Sequence, residues 1–258
     1  MPAFACAAVA ACAALTSCGD GSEKAGPSPS SPAPTPSASS TASPAKDSPA
    51  DEKLVLRWRT TGGIGGVGGP GSVPDFSLYS TGRAVVSSGG PQGSLTEYRL
   101  KPEALQRLLD EARKAGLHRS HTVGSDQVMD AIIIVVTLGD ATSRVMQPGS
   151  EGSPEAAFLK RLDAKGWAAS DQAASPKPYT PSKTAVLAGE TSGGGTVRKW
   201  PLGPLGEGQR KAGGICTLAP SAKVPAAKPD VTWRSEGKTY SVRLRPLLPA
   251  ESSCRDIA

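Results

Sequence analysis

The chain has 258 residues and carries 29 Lys and Arg against 23 Asp and Glu, a formal net charge of +6. Aromatic residues make up only 4% of it, too few for the base-stacking surfaces that single-stranded nucleic acid requires, so no nucleic-acid partner is expected. The 30 glycines and 24 prolines predict many turns and long loops.

The amino-terminal segment predicts a lipoprotein signal peptide over residues 1–17. An uncharged apolar run ends in the lipobox-like Leu15, Thr16 and Ser17, and Cys18 follows as the residue to be acylated. The run is far shorter than the ~20 residues of a membrane-spanning helix. It lacks the basic start of a secretory signal, which favours a start codon assigned late. The alternative is a chance match after a plain secretory signal.

Residues 18–52 are predicted to be the lipid-anchored cysteine and a disordered tether. They consist mostly of Ser, Pro, Ala, Thr and Gly, which cannot bury enough apolar surface to offset the entropy of ordering. Residues 19–52 have a net charge of −3 and residues 53–258 a net charge of +9. We therefore expect a protein on the outer face of the cytoplasmic membrane, attached through the lipid on Cys18. A basic ectodomain suits an anionic cell-wall polymer, lipid head groups or an envelope protein as its partner.

Two cysteines remain after the anchor, Cys216 and Cys254. An even pair outside the cell predicts a disulfide. Metal ligation is the weaker alternative, because two sulfurs without a nearby histidine make a poor site. No metal site is predicted.

Residues 53–167 predict an α+β domain. The segment opens with Leu54, Leu56 and Trp58 on one face of a half-buried strand and Arg57 and Arg59 on the other. Further strands follow, two of them forming a hairpin that turns at a glycine; they are predicted at 76–79, 83–86, 95–100, 132–138 and 142–146. Two amphipathic helices are predicted at 102–116 and 153–166. The apolar, β-branched run 132–138 predicts a central strand covered on both faces.

A glycine-rich loop follows the first strand, and Gly63, Gly65 and Gly68 match the G-x-G-x-x-G dinucleotide fingerprint. The fingerprint needs a helix to open at its third glycine. Here Pro70 and Pro74 follow, so no helix begins there and no cofactor is predicted.

The two histidines, His118 and His121, lie in the loop after the first helix, close to several Ser and Asp residues. A hydrolase triad requires a nucleophile on a strained turn, and a metal site requires a set ligand spacing. Neither pattern is present, so ordinary loop histidines are expected.

Residues 168–182 predict a linker and residues 183–258 a smaller, β-rich domain or subdomain pinned by the disulfide. In its last predicted strand Arg243 and Arg245 alternate with apolar residues, as Arg57 and Arg59 do in the first. Two interpretations stay open for these four arginines: a solvated sheet face, or one anion-binding patch.

Three features carry a family resemblance: the segment 74–79 with Thr81-Gly82-Arg83, the 105–116 helix, and Arg245-Pro246-Leu247-Leu248-Pro249 ahead of a late cysteine. With them the chain resembles a group of uncharacterised actinobacterial-type secreted lipoproteins over most of residues 53–258. The resemblance implies membrane anchoring and brings no activity or catalytic residues.

The sequence as a whole predicts an α+β fold with mainly antiparallel sheets, two helices in its first half and a β-rich second half. Because no catalytic or cofactor motif stands out, we expect a non-catalytic binding or scaffolding module at the cell envelope. The alternative is an envelope-associated hydrolase that uses carboxylates too dispersed in the sequence to identify.

Overall fold

A computed structural model describes residues 52–63, 68–69, 71–89, 93–150, 152–228 and 230–257. The predicted signal peptide, Cys18 with its lipobox (Leu15, Thr16 and Ser17), and the tether up to residue 51 lie outside the described residues. So does part of the glycine-rich loop, including Gly65.

The first sheet of the described chain has eight strands: β1 (Leu54–Gly62), β2 (Phe76–Tyr79), β3 (Arg83–Ser87), β4 (Leu95–Leu100), β5 (Thr122–Val123), β6 (Ile132–Leu138), β7 (Ala141–Met146) and β8 (Gln172–Pro178). Their order is β5-β7-β6-β1-β2-β3-β4-β8. All neighbours are antiparallel except β5 and β7.

The second sheet has six strands: β9 (Lys183–Glu190), β10 (Thr196–Lys199), β11 (Gln209–Lys211), β12 (Gly214–Pro220), β13 (Val231–Ser235) and β14 (Lys238–Pro246). Their order is β10-β13-β14-β9-β12-β11, with β10 and β13 parallel and the other pairs antiparallel. The described part of the chain is therefore mostly β, as the sequence predicts.

Two α-helices pack on one face of the first sheet. Helix α1 (Pro102–Lys114) begins with proline at its first position, and helix α2 (Pro154–Arg161) begins after Ser153, whose hydroxyl accepts from an amide of the first turn at 3.2 Å. Their apolar sides join Leu56, Phe76 and Val136 in the largest core cluster. Within the described part of the chain, no helix is long and apolar enough to cross a membrane.

The second sheet has a core on each face. Alternate residues of β9 point to opposite sides of the sheet. Val186 packs with Trp200 and Trp233, whereas Leu187 packs with the disulfide-bonded cysteines and with the segment after β14, residues 247–257, which we call the tail. The tail also contacts the first sheet's layer, because the Tyr179 hydroxyl donates to the Leu247 carbonyl at 2.7 Å.

The predicted disulfide is confirmed. Cys216 on β12 is bonded to Cys254 in the tail at a sequence separation of 38, and both are buried. The bond fixes the end of the chain against the second sheet.

The stretch predicted as a linker, 168–182, contains β8, which pairs with β4 at an edge of the first sheet. Pro176 and Pro178 are tolerated there because an edge strand has amides that no neighbouring strand uses.

Candidate functional site

The four predicted patch arginines lie on strands that the fold brings together. Arg57 on β1 donates to Glu251 in the tail at 3.2 Å, and Arg245 on β14 donates to the same carboxylate oxygen at 2.8 Å. The second oxygen of Glu251 accepts from Arg245 Nη1 and from the Leu248 amide. One carboxylate therefore joins the first strand, the last strand and the tail.

This arginine cluster is an internal ion network. The side chain of Arg245 is 1% exposed, that of Glu251 4% and that of Arg57 17%. Burial, followed by repulsion from Arg57 and Arg245, lowers the pKa of the Arg59 guanidinium. Arg243 is exposed and donates to the Ala212 carbonyl at 3.2 Å. The structure thus brings Arg57, Arg59 and Arg245 together, but not on one exposed surface with Arg243.

A second buried network holds Arg83, the arginine of the Thr81-Gly82-Arg83 segment. Its guanidinium lies 2.8 Å from Glu97 and 3.4 Å from Glu52, and 5.5 Å from the centre of the Tyr179 ring. Since all three charged residues are buried, this network holds β3 and β4 to the start of β1.

His121 lies between three partners that resemble a catalytic triad by composition. Its Nε2 is 2.9 Å from Glu155 Oε1 on α2, and its Nδ1 is 2.8 Å from the Arg119 carbonyl and 3.2 Å from the Ser143 hydroxyl. The Ser143 hydroxyl itself donates to the Arg119 carbonyl at 3.0 Å.

The hydrogen bonds show what this histidine does. Both ring nitrogens face acceptors, and these contacts raise the pKa of His121, first through the Arg119 carbonyl and then through Glu155. Ser143 is fully buried and its hydroxyl donates to the Arg119 carbonyl, so it is not presented to a substrate as a nucleophile. His121 therefore acts as a structural clamp between the loop after α1 and helix α2.

His118, the other predicted loop histidine, is exposed and lies apart from this clamp. Its Nδ1 is 2.9 Å from the Arg113 carbonyl at the end of α1. Over the described residues, no group of three or more His, Cys, Asp or Glu side chains is arranged to hold a metal ion.

An open groove lies at the β10 edge of the second sheet. We call it the β10 groove; its volume is about 460 Å³, and it is lined by Val197, Arg198, Lys199, Arg234, Glu236 and Gly237. All four residues of β10 are exposed, as is Arg234 on β13. The groove is therefore open to large ligands and carries three cationic side chains against one carboxylate.

The pairing of β10 with β13 places two of these cationic side chains next to each other. In the parallel pairing of β10 with β13, Lys199 lies opposite Arg234, so the two side chains project from the same face. No described carboxylate lies within 4.0 Å of the charged groups of Arg198, Lys199 or Arg234. Their charges are therefore available to an anionic ligand.

Two tryptophans adjoin the lining residues of the groove in sequence and pack against each other. The rings of Trp200 and Trp233 meet edge to face with 5.1 Å between their centres, and the Trp200 amide donates to the Arg234 carbonyl at 2.9 Å. Sequence reasoning missed the groove. The signal that would have found it is the pair of cations at 198 and 199 after a glycine run, next to a buried tryptophan.

Comparison with protein-family models, with curated proteins and with solved structures gave no match. What the protein binds must be inferred from its own residues.

Proposed function

We propose that the protein is a non-catalytic binding or scaffolding module, attached by the lipid on Cys18 to the outer face of the cytoplasmic membrane. The observation that supports this most directly is the Cys216–Cys254 disulfide. Disulfides of this kind form and persist in oxidising compartments outside the cytoplasm. Together with the lipobox-like Leu15-Thr16-Ser17-Cys18, it favours a protein that is exported and retained at the membrane.

In this proposal each part of the chain has its own role. Residues 18–52 are the spacer, and residues 53–167 form the α+β part with both helices in the first half. Residues 168–182 lead into the β-rich part at 183–258, which carries the disulfide and the β10 groove. A spacer of this length reaches about 30 Å as a flexible coil, so the groove works away from the lipid surface.

The partner we propose is anionic and belongs to the envelope: a wall polymer, lipid head groups or an acidic protein surface. Support comes from Arg198, Lys199 and Arg234, which are exposed and lie within one open groove. Exposed charges attract an opposite charge over roughly 10 Å at 0.1 M salt, and the attraction weakens as salt rises. Binding should accordingly weaken steeply with ionic strength.

The anchor is tested by comparing the wild type with Cys18→Ala in a bacterial host, by intact mass and by sedimentation with membranes. We expect only the wild type to gain a diacylglyceryl group and to sediment. Cys12→Ala is the matched control, since Cys12 lies in the predicted signal peptide and its loss should leave anchoring intact. If wild type and Cys18→Ala are both found in the medium without lipid, the anchoring proposal is wrong.

The anionic partner is tested separately with the folded chain, inorganic polyphosphate and phosphatidylglycerol vesicles. Arg234→Gln should weaken binding and flatten its salt dependence. Arg210→Gln is the control, because Arg210 is equally exposed but lies on β11, at the opposite edge of the same sheet. Equal losses in both variants would mean that binding follows net charge and not the groove.

A further inference from the structure

We propose that the open edge of β10 binds an extended acidic peptide segment, which adds to the second sheet as a further strand. The inference rests on the proposed binding function and names its partner class: an acidic, strand-forming segment of another protein. Three observations carry it: the direction of the β10 backbone groups, the placement of the groove's charges, and the contrast with the other sheet edges.

The first observation is which residues of β10 direct their backbone N–H and C=O groups toward β13. The Thr196 amide donates to the Asp230 carbonyl at 2.8 Å, and the Trp200 amide donates to the Arg234 carbonyl at 2.9 Å. In a parallel pair, every second residue directs both its N–H and its C=O toward the partner strand. The backbone groups of Val197 and Lys199 therefore point away from β13, toward the open edge, where they are available to an added strand.

The second observation is how the charges sit relative to that edge. Side chains alternate between the two faces of a strand, so Val197 and Lys199 share one face and Arg198 projects from the other. Arg234 lies beside Lys199 on the first of these faces. A peptide strand with carboxylates at alternate positions presents all of them on one face, so one can lie next to Lys199 and near Arg234, on the face that also carries Val197, which is 47% exposed. Its intervening side chains project to the face of Arg198.

The third observation is that the other edges are protected. The β8 edge carries Pro176 and Pro178, which lack donors; β5 has two residues and β11 three, too few for a stable added strand. Strand β10 has four residues, no proline and a basic groove beside it. Strand addition at this edge uses backbone bonds that neither a wall polymer nor a lipid head group supplies, which favours a peptide.

The test measures binding of a short acetylated and amidated peptide of alternating aspartate and valine to the disulfide-bonded chain, by calorimetry at low salt. We expect saturable binding by the wild type. A peptide methylated on the amides that face β10 should bind at least about tenfold more weakly, because it loses backbone donors, whereas methylation on the opposite amides should have little effect.

Val197→Pro is the matching protein variant. It removes an amide that the sheet does not use and keeps every charge of the groove, so the fold should persist; a retained thermal transition and disulfide check this. We expect about tenfold weaker peptide binding but unchanged binding of polyphosphate. The pair of methylated peptides, used on the wild type, keeps the test decisive if Val197→Pro fails to fold.

Two results would overturn the inference while leaving the proposed function in place. One is equal binding of both methylated peptides, and the other is polyphosphate or phosphatidylglycerol binding to the groove without any peptide binding. If none of the three probes binds, the anionic-partner part of the proposed function fails with it.

Discussion

Arg57 and Glu251 lie 3.2 Å apart although their positions in the sequence differ by 194. Arg57 belongs to the first strand and Glu251 to the carboxyl-terminal tail, and the buried Arg245 binds the same carboxylate. The contact joins the layer built on the first sheet to the layer built on the second. It also explains why arginines that alternate along two distant strands contribute to stability more than to an exposed surface.

Replacing Glu251 with glutamine should destabilise the protein strongly. Glu251→Gln leaves Arg57 and Arg245 near each other without a negative partner, and breaking a buried ion pair on one side costs about 3–5 kcal/mol. We expect a large drop in the urea midpoint with an unchanged slope. Glu190→Gln is the control, since the Glu190–Lys238 pair is 59% exposed on both sides and should leave the midpoint nearly unchanged. Equal midpoints for the two variants would contradict the role assigned to Glu251.

The His121–Glu155 clamp predicts a stability that falls on the alkaline side. The pKa of His121 is raised in the folded state, so its contribution is complete below the unfolded histidine value of about 6.5 and is lost as pH rises through the folded pKa. Burial alone would raise the pKa of Glu155, but its own amide, His121 and Ser153 together lower it, so its contribution is lost only in acid. The clamp should be strongest between the two unfolded values, roughly pH 4.3 to 6.5.

Urea midpoints measured between these values and mildly alkaline pH check this expectation. His121→Gln should remove most of this alkaline decline. His118→Gln removes an exposed histidine whose Nδ1 contacts the end of α1, and it should leave the decline in place. A decline that survives His121→Gln would assign the pH dependence to another group.

Loss of the disulfide should be costly because the loop that it closes is long. For a separation of 38 residues the chain-entropy relation gives about 4 kcal/mol. Cys216→Ala with Cys254→Ala, compared with the wild type before and after reduction, should show this difference in the free energy of unfolding. If the oxidised and reduced wild type unfold at the same urea concentration, the bond adds no net stability.

Gly82 and Gly139 form a matched pair for testing backbone strain. Both adopt positive φ, 79° and 57°, but a Cβ on Gly82 would lie 2.5 Å from the Leu100 carbonyl, whereas one on Gly139 would meet nothing within 4 Å. Both alanine variants carry the strain of positive φ, about 1–2 kcal/mol, and only Gly82→Ala adds a collision with backbone. Gly82→Ala should therefore have the lower melting temperature; the reverse order would mean that the β2–β3 turn shifts to absorb the side chain.

Local patterns predicted much of the fold. The alternation from Leu54 to Arg59 predicted β1, and the hairpin predicted to turn at a glycine is β2 with β3. These features depend on neighbours within a few residues, which the sequence displays directly. The disulfide was predictable for another reason: only two cysteines follow the predicted anchor.

Features that depend on long-range pairing could not be predicted from local patterns. Strand β6 lies inside the sheet between β1 and β7, but Ile132 is 52% exposed and the strand is mostly half-buried, so its apolar run does not have both faces covered. The prolines of β8 suggested a linker because nothing local indicates a partner strand. The burial of Arg245 could not be predicted from the sequence either, because it depends on the contact with Glu251 and on how the tail folds back.

The dependence of the first strand on the tail sets an order of events during synthesis. A ribosome releases Arg57 long before it adds Glu251, and until then Arg57 and the buried Arg245 have no shared carboxylate. Contacts of such large sequence separation slow folding. The interior between the two layers must therefore close late, and a chain truncated before Glu251 would keep unpaired positive charge where the wild type has its buried Arg245.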